Sequence, residues 1–307
     1  MRPRNVRRRV TTLIVAFVAA LSGVLFVAAP SASADGLSNP SGTLTVECDG
    51  AKAFLQVDWK GANQVTIRWS IEDTGTKAGI SPVLRIQARD ADGSAAPFVF
   101  PGDNAYFVLR AGNGHSEVGL TSDWNPGNLA DINHLLVKVQ NGTTEQGVNC
   151  FQERKIYNWT RIGYRKAVDQ EGKGYETGGV GPGTFDCSGL TLTSYNAIPN
   201  FPDFAIPGAV RTAEDIYHWM RDNRSPGKRY AQSVDFADLK IGDLVFFEDT
   251  NPEVVRDAEH VAFWAGDNTL FHAFSPSTPI GFSSYSSLSS HFIGAYRVLG
   301  VETVANG

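Results

Sequence analysis

Apolar and polar residues alternate from Thr43 to about Gln140. Apolar side chains take every second position of each run, and polar ones such as Thr66, Arg68 and Ser70 fill the places between. This period of two is typical of strands that bury one face and expose the other. Asp-Gly, Pro-Gly and Asn-Gly turn signals separate the runs. About seven or eight such strands predict a β-sandwich-like domain of unknown role over residues 35–150.

The pattern changes after Cys150 and predicts a second domain over residues 151–307. From Gln152 to Gly172 apolar residues recur at helical spacing, and a glycine-rich loop follows to Gly183. A further helix is predicted around Arg211 to Arg221. Helices followed by an antiparallel sheet define an α+β fold. Compact apolar runs predict four buried strands, at Leu244–Phe247, Val261–Trp264, Leu270–Phe274 and Phe292–Val298.

The first 34 residues resemble an export signal. Five arginines precede an apolar run from Leu13 to Ala29, and Ala32-Ser33-Ala34 supplies a small-residue cleavage site before Asp35. The alternative is a membrane anchor, but Ser22 and Gly23 interrupt a run already short of the ~20 residues that a spanning helix needs. We therefore predict a signal peptide at residues 1–34, a secreted or cell-wall-associated protein, and no stable membrane span after cleavage.

Charge excludes one class of partner. Removal of the five leader arginines leaves 22 of the 27 basic side chains against 32 acidic ones, a net charge of −10. A negative surface repels polyphosphate, so nucleic acid is not expected as a partner.

Three cysteines in an exported chain suggest one disulfide and one remaining thiol. Cys48 and Cys150 bracket the predicted sandwich, whereas Cys187 lies alone in the second half, so we predict the bridge between Cys48 and Cys150. The alternatives are that Cys187 is a small buried hydrophobic residue or that it pairs with Cys150.

Cys187 is the candidate nucleophile. Asp186 can cap a helix that begins at Cys187, which would place the sulfur at the positive end of the helix dipole. We expect this position to lower the thiol pKa below its free value of about 8.5 and to offer backbone N–H groups to an oxyanion. The segment Leu190-Thr191-Leu192-Thr193 also has strand propensity, so the helix does not follow from local pattern alone.

A thiolate needs a base, and His260, at the start of an apolar run, is the candidate. His272 lies twelve residues further on, across the turn Gly266-Asp267-Asn268, and is the candidate for the group that orients the base. A three-residue loop would put both imidazoles on one face of a hairpin. A two-residue loop at Asp267-Asn268 would put them on opposite faces.

A zinc site is the rival chemical interpretation, because Cys187, His260 and His272 are all ordinary zinc ligands. No Cys-x-x-Cys, His-x-x-x-His or His-Glu-x-x-His spacing supports it. We therefore predict neither a metal nor another cofactor.

The motifs of the second half, taken together, resemble those of the NlpC/P60 cysteine peptidases. They occur in the family's order and are Tyr175, Gly178-Gly179, Asp186-Cys187-Ser188-Gly189-Leu190, Arg211-Thr212, Gly242-Asp243-Leu244-Val245-Phe246-Phe247, His260-Val261 and His272-Ala273. The resemblance covers roughly residues 152–298 and does not extend to the predicted sandwich.

The resemblance implies a papain-like α+β catalytic domain that hydrolyses peptidoglycan stem peptides, typically between D-glutamate and the following diamino acid. It implies that Cys187 is the nucleophile, His260 the base and acid, and His272 the orienting group. It also implies that Tyr175 helps to position substrate or oxyanion, and that Asp186 and Ser188 contact the substrate.

This chain departs from the family in loops that would border the cleft. Many relatives have Trp in place of Thr177, the stretch 197–210 is richer in proline, and the connection 248–259 is longer and acidic. Such departures bear on substrate choice more than on chemistry. Two alternatives therefore remain, namely an amidase, acyltransferase or toxin of the same fold, and a non-catalytic surface-binding protein.

Overall fold

A computed structural model describes residues 41–76, 79–92, 94–98, 106–109, 114–127, 129–143, 146–196, 210–222, 231–248 and 257–299. The predicted signal peptide at 1–34 lies outside the described residues, as do positions 197–209 of the proline-rich stretch and 249–256 of the acidic connection.

The first half of the described chain consists of strands in two antiparallel sheets. One sheet has the order β1-β2-β3-β7, and the other has the order β5-β4-β8-β9, with β6 also paired to β4. The strands are β1 (Gly42–Cys48), β2 (Ala51–Trp59), β3 (Val65–Asp73), β4 (Pro82–Arg89), β5 (Ala95–Phe98), β6 (Phe107–Val108), β7 (Ser116–Trp124), β8 (His134–Asn141) and β9 (Cys150–Tyr157).

Alternate residues of these strands form one buried cluster. Leu55, Ile67 and Ile71 from the first sheet pack in it with Leu84 and Ile86 from the second. The sequence period of two thus marks the faces that meet, and the prediction of an all-β region before the α+β domain is confirmed.

A disulfide joins the two sheets at one edge. It links Cys48, the last residue of β1, to Cys150, the first residue of β9, with their Cα atoms 5.9 Å apart. Cys187 is a free cysteine.

Residues 150–157 form a strand and not a helix. The whole of β9 pairs with β8, from His134 opposite Tyr157 to Asn141 opposite Cys150. The prediction of helical structure from Gln152 is therefore wrong for this segment. The spacing of its apolar residues also fitted a helix, but pairing with β8 determines its conformation. The helix begins only at Trp159, after a single capping residue, Asn158, whose side chain accepts a hydrogen bond from the Arg161 backbone N–H.

The second half contains three α-helices and a six-stranded antiparallel sheet within the described residues. The sheet has the order β12-β17-β13-β14-β15-β16, and a small parallel pair, β10-β11, precedes the second helix. The elements are α1 (Trp159–Val168), β10 (Gly174–Tyr175), β11 (Thr184–Phe185), α2 (Cys187–Asn196), α3 (Ala213–Asp222), β12 (Ala231–Ser233), β13 (Leu244–Phe247), β14 (His260–Gly266), β15 (Thr269–His272), β16 (Gly281–Ser284) and β17 (Phe292–Val298).

Both faces of this sheet are covered. Val261 and Phe263 of β14 lie in the cluster that includes residues of all three helices, whereas Ala262 and Trp264 lie in the cluster on the opposite face. Strands buried on both sides read as continuous apolar runs, which is why they were recognisable in the sequence. The predicted α+β fold is confirmed, as are the α3 helix and the four central strands.

Polar contacts connect the sandwich to the second half. Lys240 Nζ lies 2.6 Å from Asp58 Oδ1 of β2, and Arg161 Nε of α1 lies 3.0 Å from Asp131 Oδ2. Asp58 also accepts a hydrogen bond from Ser41. Burial alone would raise the pKa of Asp58, but hydrogen bonds from Lys240 and Lys60 lower it, so this carboxylate is held in its charged form.

In the described part of the chain, none of the helices combines the length and the apolar character that crossing a bilayer requires.

Candidate active site

Cys187 is the first residue of α2. Asp186 caps this helix: its Oδ1 accepts a 2.6 Å hydrogen bond from the Gly189 backbone N–H, and its carbonyl accepts from Leu190 N–H. The predicted cap and the predicted helix are therefore both present, in spite of the strand propensity of the segment.

Gly189 lets the start of α2 lie directly on the glycine-rich loop. A Cβ added at Gly189 would overlap the carbonyl oxygen of Gly179. The same loop residue accepts a 3.0 Å hydrogen bond from Asp186 N–H. Contact with this loop therefore sets the position of Cys187, and only glycine fits at the contact.

The β14–β15 hairpin closes with a two-residue turn. Gly266 pairs with Thr269, so the loop consists of Asp267 and Asn268. Both loop residues have positive φ, 46° and 60°, as does Gly266 at 87°. Consecutive positive φ values match the twist of a hairpin and suit Asn, Asp and Gly.

A β-bulge restores the register that this short turn would otherwise shift. Ala265 is skipped in the pairing, and beyond it Trp264 pairs with Leu270. The extra residue in β14 reverses the change of face, so His260 and His272 lie on the same side of the hairpin. The prediction that a two-residue loop would separate the two imidazoles is therefore wrong, because it did not allow for a bulge.

The two histidines are in direct contact. His260 Nε2 lies 2.7 Å from His272 Nδ1. His272 is 3 % exposed, and its other nitrogen, Nε2, lies 2.6 Å from the hydroxyl of Ser283 on β16. Phe274 stacks on the ring of His272, with centroids 5.1 Å apart, and meets His260 edge-on at 5.6 Å. One ring nitrogen of His260 is thus occupied by His272, which leaves Nδ1 for another partner.

The sulfur of Cys187 lies beside the backbone that carries His260. Its hydrogen-bond acceptor is the carbonyl oxygen of Glu259, 3.9 Å away. Burial is the largest influence on this thiol and raises its pKa to about 11. Backbone hydrogen bonds from Val261 and Ser188 act in the opposite direction. The expectation that the helix terminus lowers the pKa is wrong, because desolvation of the thiolate outweighs the donors at the helix start.

Burial favours the neutral form of the two imidazoles, as it does for the thiol. It lowers the pKa of His260 to about 3, with a further contribution from His272, and it lowers the pKa of His272 to about 4. A charged imidazole is disfavoured away from water, just as a thiolate is. The resting site therefore holds a neutral thiol and two neutral imidazoles at pH 7.

The structure places Asp186 and Ser188 within a network of internal hydrogen bonds. The carboxylate of Asp186 accepts from Gly178 N–H at 2.9 Å, from Ser188 Oγ at 2.9 Å and from both terminal nitrogens of Arg211, the shorter at 2.7 Å. Burial opposes ionisation here, but the hydrogen bond from Arg211 and those from Gly189 and Ser188 lower the pKa of Asp186. A substrate amine would have to displace one of these donors, so the substrate contacts of both residues remain a prediction.

Tyr175 lies half-buried on β10 and packs, as Cys187 does, against the core on the helix side of the sheet. Burial raises the pKa of its hydroxyl, and a hydrogen bond with the side chain of Thr177 acts against that rise. The role of Tyr175 with substrate remains a prediction.

Two residues at the site, Arg211 and Ser283, have contacts that the sequence did not predict. Arg211 was visible only as part of a motif, and no spacing indicates that it reaches Asp186, 25 positions away. Ser283 belongs to β16, a short strand with no clear apolar period, so nothing in the sequence indicated its contact with His272.

No group of three or more His, Cys, Asp or Glu residues within the described ranges is arranged to hold a metal ion.

The sheet, the helices and the free cysteine at the start of α2 together make the second half an α+β domain. The sequence profile of the NlpC/P60 family matches residues 172–297. Residues 172–297 therefore form an NlpC/P60 domain.

Individual relatives show how far the similarity extends. The murein DD-endopeptidase MepH of Escherichia coli (strain K12) is 32% identical over 171 residues, which are 55% of this chain and 56% of that protein. A protein of the same organism named a probable endopeptidase, YafL, is 32% identical over 152 residues, 48% of this chain and 54% of the relative. The chain thus spans about half the length of these relatives.

A solved structure described as similar to a lipoprotein of the NLP/P60 family, from Staphylococcus aureus, is 29% identical. The match covers 46% of this chain and 41% of that one, with a TM-score of 0.35.

Proposed function

We propose that this protein is an exported cysteine-type hydrolase that cleaves an amide bond in the stem peptides of peptidoglycan. The observation that carries the proposal is the free Cys187 at the start of α2. Its sulfur lies 3.9 Å from the carbonyl oxygen of Glu259, the residue before His260, and the ring of His260 is hydrogen-bonded to His272. A nucleophile, a base and an orienting group in one place are the parts that covalent acyl transfer requires.

The resting charges indicate how such a site would work. A neutral thiol attacks poorly, so the proton must pass from Cys187 to Nδ1 of His260 as the sulfur bonds to the amide carbon. The carbonyl oxygen becomes an oxyanion, which backbone N–H groups at the start of α2 would stabilise. The intermediate then loses the amine, which takes the proton from His260. Water, deprotonated by His260, hydrolyses the remaining thioester and regenerates the thiol.

The bond that is cleaved is the finer part of the proposal. The family resemblance favours the amide between D-glutamate and the diamino acid, and this is our first candidate. The E. coli relative named a murein DD-endopeptidase supports a second candidate, an amide between two D-residues of the cross-link.

Digestion of purified peptidoglycan, with mass spectrometry of the products, tests the proposal. We expect the wild-type protein to release soluble fragments and Cys187→Ala and His260→Ala to release none. His115→Ala serves as the matched control, because His115 is an exposed residue of the first half. Full release by Cys187→Ala would refute the proposal. Fragments ending in D-glutamate identify the first bond, and fragments separated between two D-residues identify the second.

We propose further that residues 1–34 are removed on export and that the sandwich at 35–150 and the NlpC/P60 domain at 151–307 act outside the cell. The acidic balance of the mature chain disfavours nucleic acid as a partner. The NlpC/P60 match and the relative named a murein DD-endopeptidase support peptidoglycan or its stem peptides instead. Amino-terminal sequencing of the secreted protein should start at Asp35. A chain that keeps its leader would contradict the predicted cleavage without affecting the proposed chemistry.

A further inference from the structure

Three side chains form a continuous hydrogen-bonded row that ends at Ser283. His260 Nε2 lies 2.7 Å from His272 Nδ1, and His272 Nε2 lies 2.6 Å from Ser283 Oγ. Pairing of β15 with β16 puts His272 opposite Gly281 and Leu270 opposite Ser283, so Ser283 is the diagonal neighbour of His272 on the same face.

The row has two possible directions, and they differ in chemistry. A neutral imidazole donates from one nitrogen and accepts at the other. In the first direction His260 donates from Nε2 to His272 Nδ1, and His272 donates from Nε2 to Ser283. In the second direction every donor is reversed, and Ser283 donates to His272.

Only the first direction leaves His260 able to act as a base. Its Nε2 then carries the hydrogen, so Nδ1 has a free lone pair for the proton of Cys187. In the second direction Nδ1 of His260 already carries a hydrogen, so it cannot accept the proton of Cys187. The group at the far end of the row therefore decides whether the base is available.

We propose that Ser283 is a positioning residue that sets the tautomer of His272 by accepting the hydrogen bond from its Nε2–H, and thereby keeps Nδ1 of His260 free for Cys187. This role rests on the proposed function. Ser283 is half-buried, so its own hydroxyl hydrogen can turn towards solvent while the oxygen accepts. His272 is 3 % exposed and has no such access to water.

Burial of His272 explains why the acceptor matters. A buried N–H without a partner costs the desolvation of that group. If Ser283 lost its oxygen, His272 would avoid an unpaired Nε2–H by carrying the hydrogen on Nδ1, where His260 Nε2 accepts it. The row would then run in the direction that blocks His260.

The tautomer of His272 can be measured directly by ¹⁵N NMR of full-length protein labelled at histidine, at pH 8. His272→Asn assigns the signal among the six histidines of the chain. We expect wild-type His272 to be protonated on Nε2 and unprotonated on Nδ1, and Ser283→Ala to populate the form protonated on Nδ1. A wild-type signal from Nδ1–H, or a tautomer unchanged in Ser283→Ala, would overturn the proposal. The wild-type measurement stands even if the variant fails to fold.

Kinetics on soluble stem peptides give the second test. Ser283→Ala should lower kcat roughly tenfold, the rate equivalent of about one net hydrogen bond, with KM unchanged. Ser283→Thr should restore the rate because it restores the hydroxyl. Ser284→Ala is the matched control, since Ser284 is exposed on the same strand and bonds to the Ser286 backbone.

A loss of rate in Ser283→Ala that Thr does not restore, or that appears in KM alone, would count against the assigned role. Absence of hydrolysis by the wild-type protein would refute the proposed function. The NMR result would still decide whether Ser283 sets the tautomer, so the two failures are distinguishable.

Discussion

Individual side chains at the site owe their protonation states to burial. Cys187 lies at a helix start, which favours the thiolate, but removal from water has the larger effect and raises its pKa to about 11. His260 and His272 remain neutral for the same reason. At pH 7 the thiol of Cys187 is therefore protonated.

The raised thiol pKa can be tested by alkylation. Cys187 is the one free thiol, because the other two of the three cysteines form the disulfide. Its reaction with iodoacetamide should be slow at pH 7 and should accelerate by about tenfold per pH unit towards pH 11, because only the thiolate reacts. Mass spectrometry of the labelled protein gives the rate. A rate that is already high at pH 6 and does not change above it would show a preformed thiolate instead.

A buried histidine outside the site makes stability depend on pH. Burial, then the charges of Lys155 and Arg89, lower the pKa of His134 to about 4, whereas the unfolded chain keeps a value near 6.5. Between these values the unfolded state binds more protons, so stability is complete above about pH 6.5 and decreases as the pH falls towards 4.

His134→Phe should remove this dependence and keep the ring contact with Tyr157, at 5.1 Å between centroids. We expect the loss of unfolding free energy between pH 7 and pH 5 to be smaller than in the wild type by about 1 to 2 kcal/mol. Urea unfolding at both pH values measures it. His115→Phe is the control at an exposed position, and an equal slope for wild type and His134→Phe would contradict the assignment.

Properties that depend on residues close in the sequence were predictable. Properties that depend on residues far away in the sequence were not. Asp186 was predicted as a cap because a cap acts within three positions. The pKa of Cys187 was predicted in the wrong direction, because its burial depends on strand β14, more than 70 positions away. Ser283 was missed for the same reason: its partner is known only once β16 is paired.

At the scale of elements, the position of α2 depends on a close backbone contact at Gly189, which has no side chain. Gly189 touches the carbonyl of Gly179, and a methyl group there has no space. Replacement of a helical glycine by alanine usually stabilises by up to about 1 kcal/mol. At Gly189 the overlap with backbone should outweigh that gain.

Gly189→Ala should lower the unfolding free energy by about 1 to 3 kcal/mol and reduce hydrolysis, because α2 must move away from the loop and carry Cys187 with it. Thermal unfolding and peptidoglycan release measure the two effects. Gly61→Ala is the matched control, since an added Cβ there meets nothing within 4 Å. Wild-type stability in Gly189→Ala would show that the loop gives way instead.

The strands of the second sheet were predictable where both faces are buried and unpredictable at its edges. β13 and β14 have continuous apolar runs, whereas the edge strands β12 and β16 are short and largely polar. The sequence predicted that a three-residue loop would place both histidines on one face of the hairpin. The histidines do lie on one face, but the hairpin has a two-residue turn and a β-bulge. Bulges leave little trace in spacing, so this detail was beyond the sequence.

At the scale of the whole molecule, the disulfide fastens the first and last strands of the sandwich. Cys48 and Cys150 are separated by 102 positions. A cross-link of that length stabilises by about 4 to 5 kcal/mol in the loop-entropy model, which is a large share of the stability of one domain.

A Cys48→Ala/Cys150→Ala double variant should therefore unfold at lower urea concentration, by up to about 4 kcal/mol in free energy. Cys187→Ala is the matched control and should unfold close to the wild type, because the bridge remains. Tryptophan fluorescence follows both transitions. If the double variant matched the control, the bridge would not constrain the unfolded chain as proposed.

Only Asn158 separates the end of β9 from the start of α1. The last strand of the sandwich runs into the first helix through Asn158, and the pairs Lys240–Asp58 and Arg161–Asp131 also connect the two halves. If the first half bound a surface in this arrangement, its orientation on that surface would also set the direction in which the sulfur of Cys187 faces.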